Sequence, residues 1–185
     1  MLGLVFTEFI ELVEDRFSPE MADRVIAAAP GGRGGAYTAV GYYPHEELVA
    51  MVLELARISG APVPQLVRAF GSHLLQRFTQ IYPQMFERHR GLFDFLAAID
   101  GEIHVEVRKL YPQASLPRFE VMQRSAQQLT LRYSSPRGMQ SLAIGLMEGA
   151  AAHYGERCEI ASRDQADGST LFELRRVSVE QAVAV

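Results

Sequence analysis

One cysteine, Cys158, stands in 185 residues, so no internal disulfide can form and a cysteine-rich zinc site has no ligands to draw on. A reducing compartment fits that usage. Basic charge is also sparse. The 22 acidic residues against 18 basic ones leave a formal charge of -4, and the arginines are scattered singly, which argues against a nucleic-acid partner. No apolar run approaches the roughly 20 residues needed to span a bilayer. The opening segment Met1-Leu2-Gly3-Leu4-Val5-Phe6-Thr7-Glu8 lacks a basic stretch and takes on acid early, so it does not read as a signal peptide. The expectation is a cytoplasmic monomer with no membrane partner.

What is present is apolar residue at regular spacing. Hydrophobic residues make up 48% of the chain, enough for one substantial core with room for a cofactor-sized cavity. No internal repeat, low-complexity tract or linker divides it. Val5, Phe9, Ile10 and Val13 recur at helical spacing from Leu2 to about Arg16, and Met21, Val25 and Ile26 repeat the pattern from Pro19 to Ala29. The loop Pro30-Gly31-Gly32-Arg33-Gly34-Gly35 has no strand before it and no helix starting on it, so it is not a dinucleotide fingerprint. Helices follow from Pro44 to Gly60, from Pro64 to Ile81, and from Leu92 to about Leu110, the last with a break or bend at Asp100-Gly101.

After Pro117 the period turns from helical to alternating. Phe119-Val121 and Leu129-Leu131-Tyr133 read as paired strands, Met139 to His153 as an intervening helix, and Cys158 to Ser162 with Leu171 to Leu174 as a hairpin around Asp167-Gly168. Helices first and an antiparallel sheet with one inserted helix afterwards define an α+β class. The helical part covers about residues 1–60, and the remaining helices and the sheet cover about 61–185.

Two stretches carry chemistry. The first, Ile103-His104-Val105-Glu106-Val107-Arg108-Lys109-Leu110-Tyr111-Pro112, offers one imidazole beside the apolar stripe of its helix. His104 shares a flank with Ala97 and Tyr111, and the small residues Ala97, Ala98 and Gly101 would let a flat ligand come close. The second, Tyr133-Ser134-Ser135-Pro136-Arg137, sets a phenol, a hydroxyl and a guanidinium at alternate positions, which share one side if the segment is extended. Such a set can hold a carboxylate. Read alone, each is as readily an ordinary helical histidine and a polar strand end. Read together, they suit a ligand with a metal at its centre and carboxylates at its rim, as haem has.

His104 with Val-Glu-Val-Arg-Lys-Leu-Tyr-Pro after it, Leu116-Pro117-Arg118, and Tyr-x-Ser-x-Arg at Tyr133 to Arg137 resemble the haem nitric oxide/oxygen-binding (H-NOX) family, of stand-alone bacterial type. The likeness runs through the start of the chain, Arg68-Ala69-Phe70-Gly71, Phe93-Asp94-Phe95-Leu96 and Gly145-Leu146-Met147-Glu148-Gly149. The resemblance implies a helical subdomain packed on the sheet subdomain with haem b, iron protoporphyrin IX, between them. It makes His104 the proximal iron ligand, Tyr133, Ser135 and Arg137 the clamp on the propionates, and Pro117 the residue that presses the porphyrin out of plane.

Family members that hold oxygen have a distal tyrosine. The matching position here is Leu142, with Val5, Phe9, Leu74 and Leu146 as apolar neighbours, so the resemblance implies a nitric oxide sensor that also binds carbon monoxide and excludes oxygen. Tyr82, supplied from elsewhere, is the open alternative for an oxygen-binding or redox-sensing haem protein. A peroxidase-like enzyme would want a distal histidine or arginine, and an interaction or lipid-binding module would be colourless. The site positions that match cysteines in zinc-binding relatives hold Met139 and Ser141, so no zinc is expected, and Cys158 reads as a buried strand thiol. By the same resemblance, gas binding weakens or breaks the His104–iron bond, and the signal passes to a separate effector such as a histidine kinase or a diguanylate cyclase or phosphodiesterase.

Overall fold

The computed structural model describes residues 1–31 and 34–177. Gly32 and Arg33 of the glycine-rich loop lie outside the described residues.

The chain opens with helix α1 (Gly3–Arg16) and helix α2 (Pro19–Ala27). Ser18 separates them: its hydroxyl accepts from the Met21 N–H at 3.2 Å and Pro19 fills the first helical position, which needs no donor. Helix α3 (His45–Ser59) carries Glu46 and Glu47 in its first turn and ends on Gly60 at φ 74, a left-handed cap that a side chain would strain. Helix α4 (Val63–Ile81) follows at once, and a short helix α5 (Gln84–Glu87) leads to α6 (Leu92–Ala97). The sequence pattern did not disclose α5, because four residues are too few to show a period.

The single helix expected from Leu92 to Leu110 is in fact three pieces. Between α6 and helix α7 (His104–Leu110) lies a π turn, Ile99–Ile103, in which the Ile103 N–H reaches back five residues to the Ala98 carbonyl at 3.2 Å and the His104 N–H reaches the Ile99 carbonyl. Asp100-Gly101 sits inside this turn. The extra residue shifts the helical register by one position, so that Ile103 and His104 can both face inward.

Strands β1 (Arg118–Arg124), β2 (Gln128–Ser134), β3 (Cys158–Asp164) and β4 (Thr170–Arg176) form one antiparallel sheet in the order β1-β2-β4-β3. Helix α8 (Gln140–His153) is inserted between β2 and β3. Leu129, Leu131 and Tyr133 of β2 alternate with outward residues and pack beside Phe172 and Leu174 of β4 on the buried face. A bulge between Val121 and Gln123 interrupts the β1 edge. No helix among the described residues is long and apolar enough to cross a membrane.

Two hydrophobic clusters result. One gathers Phe6, Phe9, Val13, Met51, Phe70 and Leu74 from α1, α3 and α4. The other gathers Leu92, Phe95, Leu96, Leu129, Met147 and Phe172 from α6, α8 and the sheet. Phe78 and Leu146 pack against both. They meet along α4 and α8, whose backbones come close at Gly71, Gly145 and Gly149. A Cβ on Gly145 would drive into the Arg68 carbonyl, an atom fixed in helix α4. Gly145→Ala is therefore expected to lower the urea midpoint by the equivalent of about 1–3 kcal/mol, the cost of overpacking a tight contact. An unchanged midpoint would mean that the two helices can separate freely.

Candidate functional site

Between the two clusters lies a cavity of about 300 Å³ with largely apolar walls. His104 lines it from the first turn of α7 and is 9% exposed. Its Nδ1 is paired with Asp100 Oδ1 at 2.9 Å, which makes Nδ1 the protonated nitrogen facing a carboxylate and leaves the lone pair on Nε2. Burial pushes the imidazole below its ordinary pKa and the Asp100 carboxylate pulls it partly back. A neutral ring with a free Nε2 is the form that ligates a metal.

From His104 a line of rings crosses to the sheet. The Phe119 ring of β1 stands 6.1 Å from the imidazole and 5.2 Å from the Tyr133 ring of β2. Tyr133, Ser135 and Arg137 all line the cavity, brought there by a turn and not by an extended strand end. Strand β2 ends at Ser134, and Ser135 Oγ then accepts from the Arg137 N–H at 3.3 Å in a turn that closes on Gly138 at φ 59. Burial raises the Tyr133 pKa, opposed by hydrogen bonds with Ser135 and the Met139 backbone. Arg137 Nη1 donates to the Ser115 carbonyl at 2.8 Å, which anchors the guanidinium beside the loop that carries Pro117, another lining residue.

Val5 of α1, Leu74 of α4, and Leu142 and Leu146 of α8 supply a separate apolar wall. The donor set therefore fits a haem: one neutral imidazole with a free lone pair, apolar surface for a macrocycle, and a phenol, a hydroxyl and a guanidinium for carboxylates. The sequence profile of the haem-NO-binding family matches residues 2–162.

The chain belongs to the haem-NO-binding, or H-NOX, family.

Membership implies a haem-based gas sensor. No curated protein matches this H-NOX chain in sequence, whereas solved structures do. A point variant of the H-NOX protein from K. algicida, unliganded in the Fe(II) state, superposes with a TM-score of 0.92 at 33% identity, over 98% of this chain and 100% of that one. The H-NOX protein from Shewanella woodyi in the Fe(II)CO state gives 0.83 at 37% identity, over 96% of this chain and 95% of that one. The H-NOX protein from S. oneidensis in the Fe(II)NO state gives 0.89 at 25% identity, over 96% and 100%.

Three sequence expectations for this H-NOX site need correction. Phe9 does not line the cavity; it is 1% exposed and sits edge-on to Phe70 at 5.2 Å, because Val5, one turn earlier on α1, is the residue that reaches the wall. Ala97 and Ala98 line a surface cleft with Arg88, Arg90 and Arg124 instead, and Gly101 meets nothing, since the π turn gives the inner face to Ile99, Ile103 and His104. Cys158 is half-buried at the start of β3, and burial pushes its thiol up to about 11.

Tyr82, at the end of α4, does line the cavity, but its hydroxyl pairs with that of Tyr111, at the end of α7, at 2.6 Å. Its spacing from His104 in the sequence gave no sign of this. Burial first, then the Tyr111 bond, pushes the Tyr82 pKa from 10.0 up to about 12. The folded chain thus keeps a proton that the unfolded chain gives up, so this contribution to stability is whole below pH 10 and is lost as the pH rises towards 12. Urea unfolding across that window should show a falling midpoint, and Tyr82→Phe should make the fall shallower. An identical slope in the variant would contradict the assignment.

Proposed function

We propose that this chain is a receptor for nitric oxide that also takes carbon monoxide and excludes oxygen, and that it is a sensor and not an enzyme. In this reading His104 is the axial ligand of haem b, Tyr133, Ser135 and Arg137 hold its propionates, and Pro117 bears on the ring. Bound there, a ferrous haem supplies an open coordination position for a diatomic gas.

The residues of the chain do the rest. Asp100 keeps the His104 lone pair directed inward. The Arg137 fork, with Nη1 tied to Ser115, keeps its other donors for a carboxylate. Val5, Leu74, Leu142 and Leu146 present no N–H or O–H to the cavity, and this apolar wall is the observation that carries the preference among gases. A donor there would contribute about 1.5–3 kcal/mol to an acceptor that gathers negative charge, as bound oxygen does. Nitric oxide needs no such help. The Tyr82 phenol, outside that wall, is engaged by Tyr111.

The signal would leave through the contacts that the two clusters share. Phe78 and Leu146 pack on both, so a shift of α7 would be felt by the helical half, to an extent set by the difference in gas affinity between the two arrangements. A monomer in the cytoplasm passing this shift to a separate effector, a histidine kinase or a cyclic-di-GMP enzyme, completes the reading.

The visible spectrum of the purified ferrous protein tests it. A Soret band that is unchanged in air and moves on addition of nitric oxide is expected. A stable oxygen complex in air would overturn the gas assignment, and a colourless protein would overturn the haem assignment.

A further inference from the structure

Most of the cavity wall is apolar, yet one carboxylate reaches the imidazole that His104 places on it. Asp100 lies in the π turn, four residues before His104, with Oδ1 at 2.9 Å from Nδ1. The Asp100 side chain is 34% exposed and that of His104 is 11% exposed, so the bond runs from the solvent edge of the turn into the cavity wall. His104 is the one ion-pairing or hydrogen-bonding side chain that Asp100 meets among the described residues. Arg108, one turn further along α7, is the other charge felt by the ring, and it acts in the opposite sense.

The π turn is what makes the pair specific. His104 gives its backbone N–H to the carbonyl of Ile99, so the ring and Asp100 are set by one local backbone irregularity. A histidine whose second nitrogen donates to a carboxylate is fixed in tautomer and rotation, and it becomes a stronger electron-pair donor through the first. A histidine bonded only to water is free to turn and is a weaker donor.

We infer that Asp100 is a positioning residue for His104: its carboxylate fixes the ring and raises the donor strength of Nε2, and so sets how firmly the ring holds a metal centre in the cavity. This rests on the haem reading proposed above. It adds that the strength of the proximal bond, which gas binding must weaken, is tuned by a side chain that touches neither haem nor gas.

The test uses the haem-loaded protein with Asp100→Ala, Asp100→Asn and, as a control, Glu102→Ala, which alters another acid of the same π turn that lines the outer cleft. Three quantities are measured: the iron–histidine stretching frequency by resonance Raman, the midpoint potential, and the rate of haem transfer to a scavenger protein. Asp100→Ala should lower the stretch, raise the potential and speed haem loss by about 10–100-fold, the usual penalty for removing a carboxylate behind a metal ligand. Asp100→Asn, which can still accept from Nδ1 but without charge, should fall between, and Glu102→Ala should match the parent. An Asp100→Ala protein that keeps its Soret band with stretch, potential and loss rate unchanged would overturn the inference while leaving the haem reading intact. A colourless parent protein would overturn both, and equal shifts in Glu102→Ala would reduce the effect to general charge and overturn the specific role.

Discussion

His104→Gly is expected to purify colourless, and to regain a Soret band when haem and imidazole are added together. The chain has five histidines, and the other four are placed away from the cavity. His45 opens α3 beside Glu46, His73 lies against Glu8, and His89 and His153 pack in the aromatic group around Phe86 and Phe95. None can substitute for the ring on α7. Glycine leaves a space of the right shape for free imidazole, although the Asp100 carboxylate must then capture a ligand that is no longer tethered. The loss should extend to stability. A ligand present at a thousandfold its dissociation constant stabilises the folded state by about 4 kcal/mol, so the variant should melt well below the parent and recover with imidazole and haem together. Haem content and a melting temperature equal to the parent's would remove His104 from the site.

The parts of this fold that were legible in the sequence are those with a repeating signal. The apolar period on α1, α3 and α4 and the alternation at Leu129, Leu131 and Tyr133 follow from burying one face, and the structure buries those faces. In the sequence the π turn shows only as a break or bend at Asp100-Gly101, because one extra residue leaves the apolar stripe of Ile99, Ile103 and Val107 looking helical. That extra residue turns Ala97 and Ala98 to the outer cleft, where an unbroken helix would set them on the flank of His104. Tyr133, Ser135 and Arg137 do share the cavity, yet through a turn that the alternating pattern could not distinguish from an extended strand end. Phe9 shows the limit of carrying a pocket position across by likeness: one helical turn separates a wall residue, Val5, from a core residue. The Tyr82–Tyr111 pair joins positions 29 apart in the chain, and no local pattern announces a contact between the ends of two helices.

The wall formed by Val5, Leu74, Leu142 and Leu146 yields the other large prediction. Leu142→Tyr places a phenol in the first turn of α8, on a residue whose side chain faces the cavity. With no gas bound, the buried hydroxyl lacks a partner and costs about 1–3 kcal/mol, so the empty variant should be less stable than the parent. With oxygen bound, the hydroxyl donates to an atom that has gained negative charge, a contact of about 1.5–3 kcal/mol. Oxygen affinity should therefore rise by about 10–150-fold, read from the ferrous spectrum as a function of oxygen pressure, while nitric oxide affinity changes much less. Leu142→Phe is the control, since it brings the ring without the hydroxyl; any gain shared by both variants comes from shape. If neither variant alters oxygen binding, position 142 is remote from the gas, and the exclusion of oxygen has to arise elsewhere on the wall. If Leu142→Tyr alone takes up oxygen in air, then the absence of one hydroxyl from this wall is what separates a receptor for nitric oxide from a binder of oxygen on the same fold.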